Sequence, residues 1–224
     1  MKSADGNAMH KETFQMERIA LFSDAIFAIA ITLLIIEIKV PEIEAGELSD
    51  SLLWHNLVHI LPKFIGFLIS FFVIGLYWLS HHRMFKYVVH SNQKLLWNNL
   101  LFMLPIVIMP FSTAFLSENY SSTVRLPLAV YTANICFAGF FSFRLWKIIG
   151  DPKNHLSQQL HRTVVKYNLT RSLFVPGIFI AAFLISFISP FLSYIIPPFA
   201  LFATKIIKSY YGRKYPAIMQ DHLA

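Results

Sequence analysis

One carboxylate lies inside the first long apolar stretch of the chain. Asp24 falls within residues 19–40, a predominantly apolar run that is long enough to cross a bilayer as a helix. An Asp at the centre of a membrane helix costs roughly 2.5–3.5 kcal/mol on insertion scales, so such a side chain normally faces a partner or water. We therefore expect polar side chains from other segments to hold Asp24.

Candidate partners for Asp24 occur near one end of the next two apolar stretches. They are Trp78, His81, His82, Arg83 and either Asn98 or Asn99. Arg18 precedes Asp24 by six residues, which is about 240° around a helix, so a direct pair is not expected. Such a cluster would clamp helices together, and its histidines would make it sensitive to pH because His titrates near neutrality. A structural clamp and a proton-sensing role both fit this pattern.

A second group of residues forms one face of the first helix. Ile29, Thr32, Leu33 and Ile36 recur at offsets of three, four and seven residues. Such a face commonly packs against lipid or other helices. Alternatively it lines a narrow pore, in which branched side chains form an apolar constriction and Thr32 supplies oxygen atoms to a partly dehydrated cation. The periodicity alone fits both interpretations.

The sequence offers no pattern typical of catalysis or of a resident metal. His81 and His82 are adjacent, so they point about 100° apart on a helix, and no Cys or carboxylate completes a ligand set nearby. A glycine-rich nucleotide loop and a recognisable Ser/His/Asp set are both missing from the sequence. We therefore expect a protein that is not an enzyme and that holds no cofactor.

The composition indicates an all-α integral membrane protein. Residues are 56% hydrophobic and only 14% charged, whereas a soluble domain is typically about a quarter charged. Five further apolar stretches follow the first, at residues 61–79, 95–116, 126–145, 169–188 and 191–207. Each approaches the roughly 20 residues that a transmembrane helix needs. The sixth is the weakest, because Pro197 and Pro198 remove backbone donors in its middle.

The charge distribution predicts the orientation. All 19 Lys and Arg residues except Lys39, Lys63 and Arg125 fall in segments on the side of the N-terminus. By the positive-inside rule both termini are cytosolic, and the basic residues face anionic headgroups rather than nucleic acid. We expect a cytosolic tail at residues 1–17, a membrane domain at 18–208 and a second cytosolic tail at 209–224.

The first outer loop is acidic, and its carboxylates are Glu37, Glu42, Glu44, Glu47 and Asp50. Such a loop is either simply solvated or forms an outer vestibule whose negative potential concentrates cations.

The first helix resembles a known family. The sequence Arg18-Ile19-Ala20-Leu21-Phe22-Ser23-Asp24 fits the Arg-x-x-x-Phe-Ser-Asp signature of the transmembrane protein 175 family, the endosomal and lysosomal potassium channels and their prokaryotic relatives. The resemblance extends to residues 25–34, to Tyr77-Trp78-Leu79-Ser80-His81-His82-Arg83 and to Trp97-Asn98-Asn99.

The resemblance implies a potassium-permeable channel whose first helices line a central pore. Eukaryotic members carry two six-span repeats and dimerise, so a chain with one repeat implies a homotetramer in a prokaryotic plasma membrane. Carried over by position, Ile29 is the hydrophobic constriction and Thr32, Leu33 and Ile36 form further layers. The implied signature network comprises Arg18, Phe22, Ser23, Asp24, Trp78, His81 and Asn98. Two alternatives remain: a proton channel or proton-coupled transporter that uses Asp24, His81 and His82, and a non-conducting scaffold.

Overall fold

The structure is a helical bundle. The computed structural model describes residues 2–41, 48–119, 121, 123–157 and 160–219. In these ranges the regular elements are all helices, and one isolated β-bridge joins Val88 to Ser157. The helices are α1 Lys2–Ile36, α2 Asp50–His59, α3 Leu61–Phe85, α4 Gln93–Glu118, α5 Leu126–Ile149, a 3-10 turn Pro152–Asn154, α6 Arg162–Ile185, α7 Pro190–Ile195, α8 Phe199–Lys214 and α9 Pro216–Met219.

Five helices within the described ranges are long and apolar enough to cross a membrane. They are Phe14–Ile36 of α1 and the whole of α3, α4, α5 and α6, with 23 to 26 residues each. At 1.5 Å per residue each spans the roughly 30 Å of hydrocarbon in a bilayer. The prediction of an all-α membrane protein is therefore confirmed, whereas the count of six spans and the orientation stay predictions.

The region of the weakest predicted span forms two shorter helices. Helix α7 has 6 residues and α8 has 16, and α8 begins directly after Pro198. Proline lacks the backbone N–H that a continuous helix needs, so Pro197 and Pro198 mark the break that the sequence predicted. Pro105, Pro110 and Pro176, by contrast, lie inside helices α4 and α6.

The regions predicted as tails and as the first loop contain helices. Helix α1 begins at Lys2, so residues 2–17 continue the first membrane helix. On the other side, α8 continues to Lys214 and α9 follows it. The acidic first loop contains α2, which the sequence analysis did not predict and which Ser49 caps by accepting a hydrogen bond from the Leu52 backbone N–H at 3.3 Å. Glu42, Glu44 and Glu47 of that loop lie outside the described residues.

The bundle is organised around α4 and α5. Helix α1 packs on α3 and α4, α4 packs on α5, α5 on α6, and α6 on α7 and α8. Polar side chains tie the central helices together: Ser70 of α3 lies 2.8 Å from the Tyr131 hydroxyl of α5 and accepts a 2.7 Å hydrogen bond from Thr113 of α4. In a membrane, tight packing and such bonds hold helices together because lipid supplies no hydrophobic driving force between them.

The two ends of the bundle differ in charge. Lys63, at the start of α3, forms a 3.3 Å ion pair with Glu118 at the end of α4, so these two helices are antiparallel. Arg83 and Lys94 lie at the opposite end, which we call the basic end. Helix α4 starts there, and Asn92 caps it: the Asn92 side chain accepts a hydrogen bond from the Leu95 N–H at 2.9 Å and fixes the first turn.

Candidate functional site on the first helix

Helix α1 has a face that is buried in the bundle. Ser23, Phe27, Ala30 and Leu34, spaced by four, three and four residues, are at most 2% exposed. The ring of Phe27 packs 6.1 Å from that of Phe102 on α4. This spacing is that of a single helix face, so the phase of α1 against α3 and α4 is set by these side chains.

The opposite face of α1 carries the residues that the sequence predicted to line a pore. Ile29 is 57% exposed, Leu33 is 40% exposed and Ile36 is 67% exposed, and Thr32 is exposed between them. We call these four residues the α1 stripe. Of the five long apolar helices, α1 is buried least within its own chain, at 22% of its most apolar window. The stripe is therefore a surface of the single chain.

Thr32 is the only polar member of the α1 stripe. Its hydroxyl lies 2.9 Å from the Ile29 carbonyl oxygen and 3.1 Å from that of Ala28. A hydroxyl has one hydrogen to donate and two lone pairs, so donation to these carbonyls leaves the oxygen able to accept. Thr32 thus presents an oxygen ligand in the middle of an otherwise apolar surface.

Asp24 has a partner from α3. The indole Nε1 of Trp78 donates a hydrogen bond to its Oδ1 at 2.9 Å. The ring of His82 lies 5.8 Å from that of Trp78, and His82 itself is exposed. Of the candidates named from sequence, Trp78 is thus the group that donates to the carboxylate.

A directional chain of hydrogen bonds runs behind Asp24 and joins three helices. Ser23 donates to the Ile19 carbonyl at 2.9 Å, so its oxygen accepts the 2.9 Å bond from Asn99 Nδ2. The amide oxygen of Asn99 can then only accept, so His81 Nε2 donates to it at 2.8 Å. The chain links α3, α4 and α1, and the direction of each of its three bonds is defined.

Aromatic rings hold the imidazole of His81 in place. Phe85 stands 4.4 Å from it, Phe27 stands 5.7 Å away, and Phe102 stacks at 5.9 Å. His81 is 1% exposed. These three phenylalanines were not predicted as part of the site, although Phe85 follows His81 by four residues on the same helix face.

Three predicted members of the signature network are not part of the hydrogen-bond chain described above, although two of them line a groove that also borders Asn99. Asn98 does not reach the cluster, because its Nδ2 donates to the Lys94 carbonyl of its own helix at 2.8 Å, and Asn99 takes the position expected for it. Arg18 and Phe22 are exposed and line an open groove of about 510 Å³ beside α4. The guanidinium of Arg18 lies 5.9 Å from the Phe14 ring.

The fold and this site define an integral membrane protein with several spanning helices. Helix α1 is held by the bonds of Trp78 to Asp24 and of Asn99 to Ser23, which we call the polar clamp, and it carries the exposed α1 stripe. The chain belongs to the transmembrane protein 175 family of ion channels, as the resemblance predicted. The family model for the endosomal/lysosomal potassium channel TMEM175 matches residues 18–110, which include the second half of α1, all of α2 and α3, and much of α4. The family consists of ion channels rather than enzymes, in line with the sequence analysis.

Individual relatives are similar over different shares of the chain. The potassium channel Cha6605_3372 of Chamaesiphon minutus is 37% identical over 184 residues, which are 81% of this chain and 89% of the relative. A crystal structure of a lysosomal potassium-selective channel TMEM175 homologue from Chamaesiphon minutus superposes with a TM-score of 0.69, at 30% identity, over 85% of this chain and 98% of that one. The endosomal/lysosomal proton channel TMEM175 of Gallus gallus is 28% identical over 60% of this chain and 28% of its own length.

Proposed function

We propose that the chain is a potassium-permeable cation channel in which the first helices of four copies surround one pore. The observation that carries this proposal is the α1 stripe: an exposed, mostly apolar face with one oxygen ligand, on the helix that is least covered by its own chain. The similarity to a potassium channel and to a potassium-selective channel structure from Chamaesiphon minutus supports the choice of ion.

Two arguments support four copies: the number of repeats in eukaryotic members of the family, and the exposed α1 stripe. The family resemblance implies that eukaryotic members have two repeats per chain and form dimers, which gives four repeats around the pore. This chain has one repeat, so four copies would give the same number. Four α1 helices around an axis would cover each stripe with its symmetry mates. This arrangement is a closed cyclic oligomer, the usual form for identical subunits.

Conduction would be passive. Cations would enter at either mouth, lose part of their hydration shell at the rings formed by Ile29, Leu33 and Ile36, and contact the ring of Thr32 oxygens. An apolar ring excludes water and ions when it is narrow, so opening would require a small outward tilt or rotation of α1. No covalent step and no cofactor is needed.

The polar clamp has a positioning role in this proposal. Trp78 and Asn99 hold the side of α1 that faces away from the stripe, through Asp24 and Ser23. A helix fixed on one side presents its other side in a defined phase. The Lys and Arg distribution would place both termini in the cytosol of a prokaryotic cell, with the chain in the plasma membrane.

Reversal potentials in liposomes or planar bilayers test the proposal. With K⁺ on one side of the membrane and Na⁺ on the other, the current through the purified protein is expected to reverse at a potential that indicates a higher permeability to K⁺ than to Na⁺. Ile29→Ala should raise the conductance and reduce discrimination between the two cations. The matched control is Ile180→Ala, because Ile180 is exposed on α6, away from the stripe. Unchanged selectivity in Ile29→Ala, or an equal effect of Ile180→Ala, would count against a pore at the stripe.

Proton conduction, as in the alternative named from sequence, is a second candidate. The name of the vertebrate relative, an endosomal/lysosomal proton channel, favours it. The hydrogen-bond chain argues against a relay through His81, because the amide of Asn99 interrupts it and does not exchange protons readily. Acidification of liposomes that contain a pH-sensitive dye distinguishes the two candidates. A proton current that His81→Gln or His82→Gln abolishes would favour the relay or a proton-coupled transporter.

A further inference from the structure

A second polar site lies at the basic end, away from α1. The guanidinium of Arg83, near the end of α3, has its Nε and Nη2 atoms buried, and neither atom has a hydrogen-bond partner among the described residues. These two nitrogens lie on the same edge of the planar group. Their N–H bonds point in parallel, which is the geometry that binds two oxygens of one carboxylate or phosphate.

A second arginine acts on the same position. Arg171 of α6 lines a small cavity with Ser80, which precedes Arg83 by three residues on α3. The charge of Arg171 and the hydroxyls of Tyr167 and Tyr87 all act electrostatically on the Arg83 guanidinium. In the part of the chain that the structure describes, neither arginine is paired with a carboxylate. The two arginines repel each other because their charges are alike, and the two buried N–H groups of Arg83 lack an acceptor. A negatively charged ligand would supply what both groups need.

Two tyrosine hydroxyls and a set of packed apolar and aromatic side chains surround the Arg83 guanidinium. Tyr167 is 4% exposed and packs with Val164, Ile207 and Tyr211. Burial raises the pKa of Tyr87, although the nearby Arg83 lowers it, so its hydroxyl stays protonated. The site is therefore bounded by α3, α6 and α8, and its chemistry is that of hydrogen-bond donors around a positive centre.

We propose that Arg83 and Arg171 bind a phosphate group, with Arg83 as a bidentate ligand. A single phosphate offers enough oxygens for both guanidinium groups, and its negative charge offsets their mutual repulsion. The site lies at the end of the bundle that carries the Lys and Arg residues, where lipid headgroups would meet a membrane protein. The phosphate comes either from an anionic lipid headgroup or from free phosphate. This site does not depend on the proposed ion conduction.

Binding to the purified full-length protein in zwitterionic detergent tests the proposal. One arm measures phosphatidylglycerol by native mass spectrometry, and the other measures inorganic phosphate by calorimetry at ionic strength held constant with NaCl. Arg83→Gln should weaken the affinity for the probe that binds by roughly 10- to 100-fold, the range for charge-assisted hydrogen bonds. Arg83→Lys, which keeps the charge but loses the bidentate edge, should weaken it to an intermediate extent.

The matched control is Arg144→Gln, which removes an exposed charge from α5 at the same end of the bundle. It should change the affinity less than about twofold, as expected of an exposed side chain. Binding of phosphatidylglycerol alone identifies a lipid site, and binding of inorganic phosphate identifies a free-anion site. The proposal is wrong if the wild type binds neither probe, or if Arg144→Gln weakens binding as much as Arg83→Gln. Arg171→Gln provides an independent test if Arg83→Gln does not fold.

Discussion

Trp78 donates its indole N–H to the carboxylate of Asp24, with 2.9 Å between Nε1 and Oδ1. The bond joins α3 to α1 at the level where an apolar helix would otherwise carry an unpaired charge. A nearby chain from His81 through Asn99 to Ser23 makes the same connection by way of α4. The two contacts together fix the first helix from behind and leave the α1 stripe uncovered by its own chain.

Trp78→Phe should destabilise the protein, because Asp24 then lacks its donor at the α1–α3 contact. We expect a loss of about 1–2 kcal/mol in the free energy of unfolding, the range for interhelical hydrogen bonds to a charged group in a membrane. Denaturation in mixed micelles measures it. Trp97→Phe is the control, since Trp97 is 58% exposed on α4. Equal losses in both variants would show that the bond contributes nothing specific.

Asn99→Ala should be more destabilising than Asn98→Ala. Asn99 bonds to both His81 and Ser23, whereas the bond from the Asn98 Nδ2 is to a carbonyl of its own helix. Removing the bridging amide leaves the buried imidazole N–H of His81 without an acceptor and the Ser23 oxygen without a donor, at a cost of roughly 1–3 kcal/mol. The two variants have identical composition changes at adjacent positions, so thermal unfolding midpoints compare them directly. The bridge has no energetic role if the order is reversed.

A cysteine at position 29 should react with a polar thiol reagent from the aqueous phase. In a Cys136→Ser background, Ile29→Cys channels should lose current after treatment with a charged methanethiosulfonate, because the stripe would face water and ions. Phe27→Cys, on the buried face of α1, and Ile180→Cys, on the exposed face of α6, should keep their current. Unchanged current in Ile29→Cys under the same treatment would place the stripe in lipid or in a dry interface, and an equal loss of current in Ile180→Cys would show that the reagent does not act at the stripe.

Gly139→Ala should perturb the packing of α5 on α6. A Cβ at position 139 would stand 3.0 Å from both the Pro176 Cδ and the Ser172 carbonyl oxygen, which are too close for an ordinary contact. Overpacking of this kind typically costs about 1–3 kcal/mol. Gly177→Ala is the matched variant, because a Cβ there has nothing within 4 Å. A lowered thermal midpoint is expected for Gly139→Ala alone, and similar midpoints would mean that the two helices move apart freely.

Several features were predictable because they depend on local properties of the chain. The five long helices follow from apolar runs of membrane length, and the break before α8 follows from Pro197 and Pro198. The grouping of Ile29, Thr32, Leu33 and Ile36 on one face follows from 3.6 residues per turn, whatever that face contacts. The need of Asp24 for a partner follows from the cost of burying a charge, which does not depend on who the partner is.

The tertiary structure decided which groups meet. Trp78 rather than a histidine donates to Asp24, and Asn99 rather than Asn98 joins His81 to Ser23. The side chains of neighbouring residues on a helix point about 100° apart. The sequence therefore makes both Asn98 and Asn99 candidates, but it does not give the rotation of α4 about its axis, which decides between them. That rotation is set by the packing of Leu95, Phe102 and Ile106 against several helices at once. Contacts between segments distant in sequence are thus fixed only when all the helices pack together.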